Sequence, residues 1–176
     1  MSSFDDENYL LMLTRGGYIK RTPLSAFSKI RANGLIAIGL EDGDALTWVR
    51  LAESGDSVLI GSKNGMTIHF RLNDSELRPL GRSARGVKSM NLKPGDSLVS
   101  MDVLSTELAD HVYKSDVQDE IEDESSVSEG PWVLVAAGSG LGKRVPVTQF
   151  RLQKRAGMGL RAVSYTHLTL PTNREV

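Results

Sequence analysis

Thr14–Arg21 reads TRGGYIKR: a glycine-bearing turn between two short strand-like runs, with cationic side chains on both arms. Glycine reaches positive φ without steric cost, so the pair Gly16-Gly17 suits a tight hairpin. A related stretch returns at Ser62–Phe70, SKNGMTIHF, and again at Gly138–Arg144, GSGLGKR. A second signature follows each at a similar distance: IRANGLIAIGL at Ile30–Leu40, ARGVKSMNL at Ala84–Leu92 and RAGMGLRAV at Arg155–Val163. Two signatures recurring in fixed order predict a repeat protein.

Working outward, Tyr9–Leu13 (YLLML) is a continuous apolar run, too short for a typical helix and suited to a buried strand, with Tyr18–Lys20 returning. Pro23 removes a ladder donor, so Thr22–Phe27 reads as an edge or connection. Leu35–Leu40 and Leu46–Leu51 are predicted strands around the Asp42-Gly43-Asp44 turn. In the second unit, Val58–Ile60, Met66–Phe70, Gly86–Leu92 and Leu98–Leu104 repeat the order, around Asn64-Gly65 and Pro94-Gly95-Asp96. Gly17 to Gly65 is 48 residues, while Gly34 to Gly86 and Gly43 to Gly95 are each 52. A period near 50 with about four short strands matches one blade of a propeller-like fold. The fold class expected is therefore all-β, with roughly three blades of about four antiparallel strands.

The third unit is displaced: Gly65 to Gly140 is 75 residues and Gly86 to Gly159 is 73. The excess is close to the length of Ser105–Gly130, an acidic segment with few large apolar residues, read as a loop inserted between blades. Trp132–Ala136 (WVLVA) resumes the strand pattern and Val145–Phe150 follows the turn. The predicted division is a disordered leader at 1–8, repeats at 9–56 and 57–104, the inserted loop at 105–130, a partial repeat at 131–163 and a non-native, adapter-like tail at 164–176.

Charge is segregated along the chain. The 176 residues hold 21 basic and 22 acidic side chains, but Ser105–Gly130 contains nine of the acidic ones and only Lys114 of the basic. The remainder has 20 basic against 13 acidic, a net of +7. A cationic body meets the electrostatic condition for a polyanion partner. On charge alone, the acidic loop would compete for the same surface. The absence of cysteine excludes disulfide frameworks and thiolate metal sites, and fits a reducing compartment. No apolar run approaches the ~20 residues of a membrane-spanning helix, and no membrane partner is expected.

Motifs for catalysis are weak. GSGLGKR is no phosphate-binding P-loop, because Ala137 replaces the first glycine and Arg144 stands where Ser or Thr would hold magnesium. A hairpin turn equivalent to Gly17 and Gly65 is the better reading. His69, His111 and His167 lack metal-ligand spacing, and Asp119–Glu124 lacks the pattern of a calcium loop. No catalytic residue and no metal site are assigned.

The basic residues carry more information. Arg15, Lys20, Arg21, Lys29 and Arg31 run without an intervening carboxylate. The second unit supplies Lys63, Arg71, Arg78, Arg82, Arg85 and Lys88, and the third Lys143, Arg144, Arg151, Lys154, Arg155 and Arg161. Scattered Lys and Arg usually form a merely solvated face. Recurrence at equivalent positions predicts instead a curved basic track, suited to phosphate contacts rather than base reading. All of these except Arg78 are taken as the DNA-binding set.

The stretches LLMLTRGGYIKRTPLSAF, IRANGLIAIGLEDGDAL, RGVKSMNLKPGDSLVSM and the pair GLGKR and AGMGLRAV carry a family resemblance. Across Tyr9–Val163 the chain resembles the C-terminal domain of DNA gyrase A. The resemblance implies a β-pinwheel, a six-bladed relative of the propeller in which neighbouring blades exchange strands. It also implies a basic rim that wraps duplex DNA with a chiral sense, so that an ATP-dependent type II topoisomerase of two gyrase A and two gyrase B chains introduces negative supercoils. The implied partners are double-stranded DNA, gyrase B and a second gyrase A. Cofactors are expected to be absent from this segment, ATP and Mg2+ acting elsewhere in the parent enzyme. The compartment expected is the cytoplasm, at the nucleoid, or an organelle of bacterial origin. Only about three repeats are present, and the family's QRRGGKG-like loop has no match. Two rivals stay open: the corresponding domain of topoisomerase IV, and a propeller-like protein-interaction module.

Overall fold

In the computed structural model, the residues described are 8–30, 32–108 and 131–162. Residues 1–7 of the leader expected at 1–8, Arg31, residues 109–130 of the acidic segment, and residues 163–176, which include the tail expected at 164–176, lie outside them.

Among the described residues, ten strands form three antiparallel sheets. Strand β1 (Asn8–Thr14) pairs with β2 (Tyr18–Pro23), and β3 (Leu46–Glu53) joins the other side of β1. In the second sheet β4 (Ser57–Ser62) lies between β5 (Met66–Arg71) and β7 (Leu98–Leu104). The third is the pair β8 (Trp132–Ala136) and β9 (Gly142–Pro146). The apolar run of β1 is buried on both faces: Leu11 and Leu13 join the main core with Val58, Ile60, Ile68 and Phe70, whereas Met12 faces Phe27 and Ile38. Sheets covered on both sides favour continuous apolar strands over alternation. A third cluster, Leu59, Val145 and Phe150, joins the second sheet to the third.

Two short strands leave their own repeats. Strand β6 (Val87–Lys88) pairs with β2 of the first sheet, opposing Tyr18 to Lys88 and Ile19 to Val87. Strand β10 (Leu160–Arg161) pairs with β5 of the second, opposing Met66 to Arg161 and Thr67 to Leu160. Each crossing uses the same devices. Ser89 N donates to Gly17 O at 2.8 Å, and Ala162 N to Gly65 O at 2.8 Å. Leu80 N donates to Arg21 O at 2.9 Å, and Gln153 N to His69 O at 2.7 Å. Gly86 (φ 100°) and Gly159 (φ 76°) open the exchanged strands, and a Cβ there would sit 2.5 Å from Ile19 O or 2.7 Å from Thr67 O. Only glycine tolerates both the left-handed backbone and that approach. The all-β architecture with strand exchange agrees with expectation.

One strand expectation does not hold. Leu35–Leu40 forms no strand, having no partner strand to pair with among the described residues. Within Val145–Phe150, Val145 and Pro146 end β9, and Val147–Gln149 form a 3-10 turn, Pro146 ending ladder donation.

Candidate nucleic-acid interface

The hairpin tips are held by one repeated contact. The turn at Glu41–Asp44 receives Arg15 N on Ala45 O (2.8 Å) and Gly16 N on Asp44 Oδ1 (2.8 Å). The turn at Lys93–Asp96 receives Lys63 N on Ser97 O (2.8 Å) and Asn64 N on Asp96 Oδ1 (3.1 Å), and Ser62 Oγ adds a bond to Asp96 Oδ2 at 2.7 Å. Burial pushes the Asp44 carboxyl up, but hydrogen bonds from Thr14, Gly16 and Ala45 and the Arg15 charge outweigh it and hold Asp44 below the usual carboxylate range. Arg15 and Lys63 are thereby fixed, exposed, at matching positions of two successive sheets. Lys88 and Arg161, on the exchanged strands, form a second matched and exposed pair, and Arg15 and Lys88 line one cleft. Lys29 is exposed beside Arg82, which is half-buried, and Lys143, Arg144, Arg151 and Lys154 are exposed in the third unit.

Four of the expected DNA-binding residues have other work. Lys20 and Arg21 are fully buried, which corrects their assignment to an outward track. The segment that carries β6 across also covers both faces of β2. Lys20 Nζ donates to Gly81 O at 3.1 Å and to Arg82 O, and burial pushes its ammonium down to about 8. Arg21 donates to Leu77 O, to Leu72 O at 3.1 Å and to Asp74, with its guanidinium 4.7 Å from the Tyr9 ring centroid. Arg155 donates its backbone N–H to Glu76 Oε2 (2.9 Å), Nε to Glu76 O (2.7 Å) and Nη1 to Lys88 O (2.7 Å), locking the second crossing. Arg85 is paired with Glu41 and lies 4.3 Å from the Tyr18 ring centroid. Arg71 is half-buried with Nη1 3.4 Å from Gly55 O, and Arg31 lies outside the described residues.

Arg21, His69 and Arg144 occupy one position in the three repeats, four residues beyond the turn glycines Gly17, Gly65 and Gly140. His69 is buried, with Nδ1 2.7 Å from Phe150 O and Nε2 2.9 Å from Ser57 Oγ. Burial holds its imidazole below the usual histidine range. The position thus latches one repeat to carbonyls of the next. In the third repeat Arg144 is exposed and stacks 4.3 Å from the Trp132 ring centroid. The carboxylate-free windows passed over two exposed cations, Arg50 on β3 and Lys93, which stands where the first repeat has Glu41. Repeat alignment was the signal that could have found Lys93. Among the described residues, no group of three or more His, Asp or Glu side chains is placed to hold a metal.

Residues 8–53, 56–105 and 131–173 each match the family model described as DNA gyrase C-terminal domain, beta-propeller. The chain is 52% identical over 174 residues to the DNA gyrase A chain of Synechocystis, spanning 94% of this chain and only 20% of that one. A solved C-terminal domain of DNA topoisomerase IV superposes with a TM-score of 0.72 at 27% identity, over 92% of this chain and 43% of that one. A solved DNA gyrase A C-terminal domain gives 0.67 at 27% identity, over 91% and 45%. With all three repeats matched by the family model and the exchanged strands in place, this chain belongs to the DNA gyrase C-terminal domain family.

Proposed function

We propose that this chain binds duplex DNA through the phosphate backbone, without sequence preference, as an arc of a DNA-wrapping domain in a gyrase-type topoisomerase. One observation carries the reading: cations recur, exposed, at matched positions of successive sheets, Arg15 with Lys63 and Lys88 with Arg161. Contacts spaced by repeat favour a bent duplex following the arc, so affinity would depend on charge and on DNA deformability. In the parent enzyme this arc would position DNA for ATP-dependent negative supercoiling, alongside gyrase B and a second gyrase A. ATP, Mg2+ and strand cleavage would belong to regions outside this segment. The compartment that follows is that of the DNA, the bacterial cytoplasm or an organelle of bacterial origin. The topoisomerase IV domain is the second reading, favoured by the superposition at a TM-score of 0.72.

The test is binding of the 176-residue chain to random-sequence duplex across a salt series. Log affinity should fall linearly with log salt, at about −0.9 per phosphate neutralised, and Lys63→Ala or Arg161→Ala should each reduce that slope by about 1. Salt-insensitive or undetectable binding would favour a protein-interaction module.

A further inference from the structure

The hairpin tips of the first two sheets share one geometry but differ in charge. At the first, Arg15 stands on the tip, Glu41 opens the turn that receives it and Lys88 lies on the exchanged strand; the three line one cleft. At the second the same places hold Lys63, Lys93 and Arg161. Backbone contacts draw these three to one end of the sheet. Lys63 N donates to Ser97 O at 2.8 Å, Asp96 N closes the turn on Lys93 O at 3.0 Å, and Ala162 N, next to Arg161, donates to Gly65 O at 2.8 Å. All three side chains are exposed, and among the described residues none of them is in an ion pair.

The acidic neighbours make the difference. The first tip sets Arg15, Arg85 and Lys88 against Glu41, Asp42 and Asp44, a net charge of zero; the second sets Lys63, Lys93 and Arg161 against Asp96, a net of +2. Asp44 and Asp96 play the same part, their carboxylates taken by the backbone N–H groups of Gly16 and Ala45 or of Asn64 and Ser97. Pro94 and Met158 stand where the first tip has Asp42 and Arg85. Glu41 holds Arg85, which also lies over the Tyr18 ring, so a phosphate reaching Arg85 must first displace a carboxylate. Lys93, at the position matching Glu41, adds a positive charge instead of neutralising one.

We propose that Lys63, Lys93 and Arg161 form the principal phosphate-binding site of this chain, and that Glu41 makes the first tip a weaker, secondary one. This rests on the duplex-binding reading above and adds an order to it: DNA is gripped at the second sheet first and laid against the first sheet second, at lower salt. Two ammonium groups and one guanidinium fork suit phosphate oxygens, and each contact releases a condensed counterion. The unequal grip is written into one position of the repeat, glutamate in the first and lysine in the second.

Fluorescence anisotropy of a random-sequence duplex with the 176-residue chain, over a salt series, tests this. Lys63→Ala should weaken binding about eightfold at roughly 0.1 M salt, the loss of one phosphate contact, and Arg15→Ala only about twofold. Glu41→Lys should strengthen binding at least about eightfold, steepen the salt slope by about 1 and make R15A as costly as K63A. Glu53→Lys makes the same charge change on an exposed residue at the far end of β3. It lies more than about 20 Å along the strand from the tip, beyond the screening length of about 10 Å, and should alter affinity less than about twofold. R15A and K63A equally costly in the wild-type background, E41K without gain, or E53K matching E41K would each overturn this inference while leaving duplex binding intact. A wild-type chain that binds no duplex at any salt would overturn the reading beneath it as well.

Discussion

Replacing Arg21 by Met separates the two roles a cation can have here. Arg21 is fully buried and donates to the carbonyls of Leu72 and Leu77, both on buried residues. Leu72 O keeps a second donor, Gly55 N at 3.2 Å, so the carbonyl most exposed to loss is that of Leu77. A stranded buried acceptor costs about 1–3 kcal/mol. Losing the guanidinium from the Tyr9 face adds roughly 0.5–1 kcal/mol. The Asp74 partner has an 85% exposed side chain, so that ion pair contributes little. Methionine restores part of the apolar packing, which leaves a net loss of about 1.5–4 kcal/mol. In urea, with a slope of about 1–3 kcal/mol/M, the midpoint should fall by roughly 1–2 M. DNA affinity of the folded R21M protein should be unchanged, because a buried guanidinium meets no phosphate. Arg15→Ala should do the reverse: its side chain is exposed at a hairpin tip, so stability stays within about 0.5 kcal/mol while DNA affinity drops. The reasoning is refuted if R21M unfolds at the wild-type midpoint and weakens DNA binding as much as R15A does.

Two further outcomes follow from the crossings. Lys20 has a folded-state pKa of about 8 against an ordinary 10.5, so between those values the unfolded chain binds the extra proton and stability rises with pH. The rise should reach about 2–3 kcal/mol between pH 8 and 10.5, and Lys20→Met should abolish it. Equal wild-type and K20M curves in urea melts at pH 7.5 and 10 would contradict this. Gly86→Ala places a Cβ 2.5 Å from Ile19 O on a φ of 100°, and should cost about 3 kcal/mol or more with lost hydrogen-exchange protection at Val87 and Ser89. Gly43→Ala, with φ 78° and nothing within 4 Å, should cost only about 1 kcal/mol.

The blade architecture was legible because it is periodic. The turn glycines Gly17, Gly65 and Gly140, the Gly-Asp turns and the apolar runs recur in one order, and a local hairpin is set by nearby residues. Strand exchange was legible only through the family resemblance, since two-residue strands such as Val87–Lys88 carry no pattern of their own. Which cations face water could not be read locally. Lys20 and Arg21 sit beside exposed Arg15 in one carboxylate-free stretch, and their burial depends on a segment more than fifty residues away that crosses over β2. Sequence alone therefore determined the repeat, its turns and the surplus of positive charge. The tertiary structure decided which of those charges are latches between repeats and which remain exposed for phosphate. Burial is a property of what packs against a side chain, and that is set by long-range topology.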